Sequence, residues 1–478
     1  MRQEKQAYGL RRTFAAGVMG IGLLLPAASW AETLADALVG AYNNSGLLDQ
    51  NRAVLRAADE DVGIAKSALK PVVQWTGTIT QNINRSVSAG STFVTAGTVT
   101  NTDSLTTTAN LIASLLVYDF GATRYGIEAS KETVLATREN LVSVEQQILL
   151  RAVDAYMSVI QSRELVSLRE NNVRLLTQEL RAARDRFEVG EVTRTDVALA
   201  EAGLAQARSG LAGAQGDLIS AKAYFKVAVG REPGNLSAPP SLPSISDINT
   251  AKALAVRRHP DILAVQHQVA AAELLIRRSV AAMEPQVSVQ GSLGVTETFD
   301  TPSSTRSGAV ALQLSQTIYQ GGALSAGVRK SQAQRDAQRG NLHVVVKDVE
   351  RAVSDAYAGL AAARAQIEAS QRQVRAARIA FQGVREEAAL GARTTLDVLD
   401  AEQSLLDAQS SSVTAQTQIY VAAYSVLQAT GQLTARNLKL PVQVYDPAAY
   451  YNLVKDSPAK LSKEGKQLDR VLRALQKD

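Results

Sequence analysis

The sequence predicts an α+β fold that is mainly α: long coiled-coil helical hairpins built twice, each unit carrying a pair of β-strands with one apolar face. Three observations predict it. The chain repeats itself at a fixed offset. Proline-free stretches of more than sixty residues carry a seven-residue apolar repeat, and four alternating segments occur in two pairs.

The first element is an export signal over residues 1–31. Lys5, Arg11 and Arg12 make its basic start, Phe14 to Leu25 its apolar stretch, and Ser29-Trp30-Ala31 a small-residue cleavage site. Arg11-Arg12 hints only faintly at a twin-arginine signal, since paired arginines are common in ordinary export signals. No later run of about 20 apolar residues follows, so no transmembrane helix is expected. The chain has no cysteine. That excludes a lipid anchor at the cleavage site, and disulfides are absent although an exported protein could form them. The formal charge is +5, but the signal holds four of the 51 basic and one of the 46 acidic residues. The remaining 47 against 45 gives a net of +2, which offers no footprint for nucleic acid.

The duplication orders the rest. Gly190-Glu-Val-Thr-Arg-Thr-Asp196-Val197 returns as Gly391-Ala-Arg-Thr-Thr-Leu-Asp397-Val398, an offset of 391 − 190 = 201. The same offset pairs Tyr156 with Tyr357, Glu201 with Glu402, Leu204 with Leu405 and Gly230 with Gly431. Residues 32–232 form the first repeat and 247–440 the second. The Pro/Ser-rich segment 233–246 links them, and 441–478 is a C-terminal periplasmic tail, loosely ordered from residue 455.

Strands are expected at about 71–84 and 104–119, and again at about 285–297 and 307–320. One face carries Val73, Trp75, Ile79 and Ile83, then Leu105, Ala109, Leu111, Ala113, Leu115 and Val117, while the other is mostly Ser, Thr, Gln and Asn. A Ser/Thr/Gly/Asn-rich loop from Arg85 to Ser104 joins the first pair, and Thr298 to Ser307 is its shorter counterpart. Helices are expected at about 33–69, 122–188 and 195–229, then 248–283, 323–389 and 395–430. The two longest would each run about 100 Å at ~1.5 Å per residue. Along 323–389 the three-four spacing selects Leu342, Val346, Val349, Val353, Ala356, Leu360, Ala363, Ile367, Ser370, Val374, Ala377, Phe381 and Val384, a coiled-coil stripe broken only by Ser370.

Four strands with an apolar face cannot remain open in hydrocarbon, because the edge strands would leave backbone groups unpaired. They are too few to close alone, since outer-membrane barrels begin at about eight strands. Several chains must share one barrel. Two would give eight strands and three would give twelve, and strand counting does not choose between them.

The duplicated helix-hairpin-helix unit, the strand ending Tyr319-Gln-Gly-Gly322 and the turn Leu390-Gly-Ala-Arg-Thr-Thr-Leu-Asp397-Val-Leu-Asp400-Ala resemble the TolC family of outer-membrane channel-tunnels over nearly the whole chain to Pro441. The resemblance implies a homotrimer in the cell outer membrane, with a shared twelve-stranded transmembrane β-barrel and a long periplasmic α-helical tunnel closed at rest. It implies an exit duct for efflux or type I secretion, recruited by a periplasmic adaptor (membrane fusion) protein and an inner-membrane RND or ABC pump. The cargo, whether drugs, toxins or polysaccharides, is not written in the chain, nor is the identity of pump or adaptor.

Particular residues follow. Val189, Gly190, Leu390 and Gly391 sit at the helix turns farthest from the strands. Glycine there ends a helix in the left-handed region, and in TolC-like proteins these tips also meet the adaptor. Asp397 and Asp400 lie three apart on one helix face. A carboxylate at Asp397, as at its twin Asp196, is favoured by the helix start whatever the function. Asp400 has Leu199 as its twin, so the repeat does not account for it. By resemblance, rings of Asp397 and Asp400 line the constriction and select cations. The family also joins an arginine matching Arg393 to a Thr-Asp pair matching Thr195 and Asp196, with a tyrosine where this chain has Ala388. Trp75, Tyr118 and Tyr319, and less strongly Phe120, fall near strand ends, where aromatic side chains gird the membrane interface.

No catalytic or cofactor motif is present, and the chain is not expected to be an enzyme. His259, His267 and His343 lack zinc spacing and cysteine partners. Gly321-Gly322 is not followed by the Lys-Ser/Thr of a phosphate loop. A soluble periplasmic coiled-coil scaffold would explain the heptads but not the strands, and an open porin the strands but not the helices.

Overall fold

The computed structural model describes residues 32–88, 98–300, 303–456 and 458–475. The export signal and parts of both strand-connecting loops, 89–97 and 301–302, lie outside the described residues. In chain order the elements are α1 (Leu34–Asn44), α2 (Gly46–Ser67), β1 (Val72–Ser88), β2 (Thr98–Tyr118), α3 (Ala122–Glu188), α4 (Arg194–Val229), α5 (Ile248–Arg258), α6 (Pro260–Ala281), β3 (Gln286–Thr298), β4 (Ser303–Ser315), α7 (Ala323–Ala389), α8 (Thr395–Ala429), α9 (Pro447–Val454) and α10 (Lys463–Leu475).

Several expectations are corrected. The helices read as continuous over 33–69 and 248–283 are each two. Ser45 interrupts the first: it takes an extended conformation and its hydroxyl accepts from the Leu48 N–H to start α2. His259 interrupts the second, because Pro260 has no N–H and disfavours a helical residue before it. Of the loop read from Arg85 to Ser104, the described residues 85–88 and 98–104 are strand, since polar threonines and asparagines pair through their backbone as well as any residue. The last strand stops at Ser315 rather than near 320. Its next partner across β3 would be Pro285, which has no N–H to donate. The tail is not loose throughout either, for α9 and α10 pack Tyr450 and Val454 against Leu468 and Leu472.

The four strands form one antiparallel sheet in the order β1-β2-β3-β4. Its register aligns the apolar residues of both repeats into common rows: Trp75–Leu111–Leu293, Val73–Ala113–Gly291–Val310, Leu115–Val289–Leu312 and Tyr118–Val287–Leu314. From Val287 to Val295 the belt covers nine residues of β3, or about 27 Å at ~3.4 Å per residue. That matches an outer-membrane apolar band of about 25 Å. The opposite face is polar, with rows such as Thr78–Thr108–Thr296–Thr305. β1 and β4 are open edges.

The helices form a single layer beneath the sheet, with α3 at its centre. On the sheet side α3 packs on α2 and α6, and α6 on α7. On the far side α3 lies between α4 and α8, and α8 carries α7. Every residue of the stripe read along α7 is buried or half-buried, including Ser370, whose hydroxyl donates to the Ile367 carbonyl. Where the two halves meet, Leu149, Val153, Tyr156, Phe225, Val229 and Leu433 form a dry core. The linker is tied down there: the buried Tyr156 hydroxyl donates to the Ser237 carbonyl at 2.8 Å, and Tyr357 repeats the bond to Ser246 at 2.7 Å.

Candidate functional site: helical tips and membrane belt

Two near-identical turns close the helical layer at the end away from the sheet. α3 ends at Val189-Gly190 and α7 at Leu390-Gly391, with φ of +79° and +77° at the glycines. No atom lies within 4 Å of a Cβ added at either glycine, so backbone conformation and not space demands glycine. Behind each turn a backbone bond closes the helix, Glu191 N–H to the Arg186 carbonyl and Ala392 N–H to the Glu387 carbonyl, both 2.9 Å. Val189 and Leu390 are bare, at 71% and 87% exposure.

Each returning helix starts with a capping box. Asp196 accepts from the Thr193 hydroxyl at 2.7 Å and its N–H at 2.9 Å, and Asp397 accepts from Thr394 in the same way at 2.8 and 2.9 Å. These bonds hold both carboxyls below the usual carboxylate range. For Asp196 the side-chain bond contributes most, and for Asp397 the backbone bond, with Arg393 adding a smaller effect. Asp397 is therefore committed to capping, whereas Asp400, one turn on, is exposed.

The structure does not bring Arg393 to the Thr195–Asp196 pair within one chain. Its guanidinium Nε donates to Glu387 Oε2 at 2.8 Å on its own hairpin. That bond, with the nearby charges of Glu387 and Asp397, raises the arginine's pKa. Between the two hairpin tips lies a cleft of about 890 Å³ whose walls include Arg186, Asp196, Arg385, Ala388 and Thr395. Ala388 faces this space, so the tyrosine of the resembling family would occupy a gap that here stays open.

One constellation escaped the sequence reading. Just above the mouth, Glu402 of α8 is buried, with 5% exposure, and accepts from Asn172 Nδ2 of α3 at 2.6 Å. Its other oxygen has no partner. Burial pushes this carboxyl up to about 7, against the lowering effect of the Asn172 bond. Beside it Arg385 of α7 pairs with Glu179 of α3 at 3.2 Å. The signal was present: Val398, Glu402 and Leu406 are four apart, placing a glutamate inside an apolar stripe.

In the sheet, Trp75 lies one row from the outer end of the belt at 70% exposure, while Tyr118 and Tyr319 stand at the helical end. Tyr118 stacks edge-on against Phe120 with ring centroids 4.8 Å apart. No helix among the described residues is long and apolar enough to cross a membrane. Among the described residues no cluster of His, Asp and Glu could hold a metal ion. His259 caps α6, and His267 lies 2.7 Å from Glu132.

Comparison with known proteins gives consistent findings. A family model described as outer membrane efflux protein matches residues 38–231 and 253–432. The outer membrane efflux protein BepC of Brucella suis biovar 1 is 38% identical over 451 residues, covering 92% of this chain and 95% of that protein. The alkaline protease secretion protein AprF of Pseudomonas aeruginosa is 25% identical over 321 residues, covering 64% and 66%. Among solved structures, the CmeC outer membrane channel of Campylobacter jejuni superposes with a TM-score of 0.73 at 17% identity, covering 90% of both chains.

Proposed function

Because the chain belongs to the outer membrane efflux protein family, whose members are outer-membrane exit ducts, we propose that three copies close into one conduit gated by the helical tips. One observation carries the shared conduit, and the family resemblance supplies the number three: both layers of the chain end in open edges. The sheet stops at β1 and β4, and the helical layer stops at α4 and α7, which expose Ile219, Val227, Val344 and Ile379 at 59–81%. Rotation about one axis closes both layers at once. Three copies supply twelve strands, and the polar sheet face then lines the lumen while the belt faces lipid, with Trp75, Tyr118 and Tyr319 at its margins.

At the mouth the three copies of Asp397 and Asp400 form two rings of carboxylates, and cations enter in preference to anions. Val189-Gly190 and Leu390-Gly391 dock a periplasmic adaptor, which connects the duct to an inner-membrane pump. Thr195, Asp196 and Arg393 act at the gate, with Arg393 released from Glu387 when a neighbouring hairpin offers it a better carboxylate. The duct binds no cofactor and catalyses no reaction. BepC is named for efflux and AprF for protease secretion, and cargo of both kinds suits a wide polar lumen that touches its passengers only in transit.

The test is conductance of the purified protein in a planar bilayer. It conducts weakly and prefers cations, and multivalent cations block it from the side of the tips. Asp397→Ala combined with Asp400→Ala relieves the block; unchanged block in the double variant would refute the assigned constriction.

A further inference from the structure

Beyond Pro441 the chain runs as a strap along α1 and α2 toward the sheet, and its contacts fix the direction. Tyr445 N–H donates to the Tyr42 hydroxyl at 3.2 Å, the Tyr450 hydroxyl to Glu60 at 2.6 Å, and Lys66 to Asp456 at 3.1 Å. Arg52 lies over the rings of both Tyr42 and Tyr445. The partners advance from residue 42 to 66, and the Lys70 ammonium also donates to the Asp456 carbonyl. Lys70 is three residues before Val73, the first β1 residue in the apolar rows, or about 10 Å at ~3.3 Å per residue. Asp456, where the chain leaves α9, is thereby held at the periplasmic edge of the hydrocarbon.

The loop between α9 and α10 has the composition of a membrane contact. Lys66 and Lys70 meet at Asp456, and the chain from Lys455 to Glu464 holds Lys455, Lys460 and Lys463 against the two carboxylates of Asp456 and Glu464. Leu461, between Lys460 and Lys463, is 86% exposed, whereas Leu468 and Leu472 of α10 are spent packing against α9. The helix pair thus braces the loop and leaves one apolar side chain projecting among lysines.

We propose that this loop docks on the periplasmic leaflet of the outer membrane, with Leu461 entering the headgroup region and the lysines engaging phosphates of anionic phospholipid. Cationic side chains beside a membrane concentrate anionic lipid within about a Debye length, and a projecting leucine adds apolar burial at the same place. Three such loops would hold the tunnel upright beneath its barrel.

The inference rests on the barrel reading, and the test separates the two. The protein has no cysteine, so Leu461→Cys, Val310→Cys in the belt and Val189→Cys at the tips each accept one bimane label. Full-length protein is reconstituted into vesicles containing phosphatidylglycerol and spin-labelled lipid. The Val310 probe loses at least half its fluorescence to a mid-chain spin label; if it does not, the barrel reading fails. The Leu461 probe loses at least half its fluorescence to a headgroup-level spin label, and the Val189 probe is unaffected. A Leu461 probe quenched no more than the Val189 probe would overturn the docking while leaving the barrel intact. Lys455→Glu, Lys460→Glu and Lys463→Glu together at least halve the Leu461 quenching, as does replacing phosphatidylglycerol by phosphatidylcholine; persistence of full quenching in both would remove the anionic lipid from the proposal.

Discussion

Replacing Glu402 with glutamine tests whether the mouth senses pH. Glu402 links α8 to α3 through Asn172, and Glu179 and Arg385 face it from α3 and α7. Its folded pKa of about 7 lies above the solvated value of 4.5. A raised carboxyl pKa means that the buried state prefers the proton. The contact is therefore at full strength below about pH 4.5 and weakens as pH rises toward 7, where the buried group must ionise. At ~1.36 kcal/mol per pKa unit the whole swing is about 3 kcal/mol per chain. That swing is net of the Asn172 bond and Arg385, which both favour the charged form and oppose the larger effect of burial. If opening parts α8 from α3 and hydrates Glu402, the same energy biases closed against open.

The measurement is open probability in planar bilayers from pH 5 to 8, with thermal stability over the same range. The wild-type mouth opens more readily and melts lower as pH rises. Glu402→Gln keeps an oxygen for the Asn172 donor and cannot ionise, so it flattens both profiles and resembles wild type at pH 5. A variant that retained the full wild-type pH dependence would show that the swing originates elsewhere, and the reasoning would fail.

Other outcomes follow from single contacts. Gly391→Ala forces a Cβ into the left-handed region and costs about 1–2 kcal/mol at the tip, read as faster protease nicking near 389–393. Gly340→Ala, with open space around a helical interior glycine, gains about 0.5–1 kcal/mol and raises the thermal midpoint. Tyr156→Phe removes a hydroxyl from the dry core and costs about 1 kcal/mol, whereas Tyr357→Phe, at the exposed twin bond, costs less; equal shifts in midpoint would contradict the burial difference.

The long helices were legible because heptads and the absence of proline act locally, and the apolar strand faces because alternation is local too. Closed-range features were harder to read. Ser45 breaks a helix by accepting a bond from the N–H three residues on and His259 by preceding Pro260, local effects that a strong apolar period hides. The upper strands were lost to composition, since Thr98 to Ser104 reads as loop until its register with β1 is known. At the mouth the tips and capping carboxylates were visible as repeated motifs. The partner of Arg393 was not, because Glu387 and the Thr195–Asp196 pair are both within plausible reach of a long side chain and only packing decides.

The same limit explains why Glu402 looked ordinary. In the first repeat Arg184 and Glu201 form an exposed ion pair within one hairpin, at 2.5 Å. Their twins Arg385 and Glu402 keep the residue types but exchange the partnership: Arg385 crosses to Glu179 and Glu402 crosses to Asn172, both on α3. Sequence identity between repeats therefore conceals a change of function. The exposed pair contributes ~1 kcal/mol or less to a hairpin that must be stiff. The exchanged pair joins one hairpin to the other, where a buried carboxylate is costly enough to be felt when the join opens. Within the chain α8, which carries Glu402, packs on α3 of the other hairpin, whereas α4, which carries Glu201, touches the other hairpin only slightly, through α8. Duplication supplied two stiff hairpins, and one altered set of contacts between them places a buried carboxyl, pushed up to about 7, at the join.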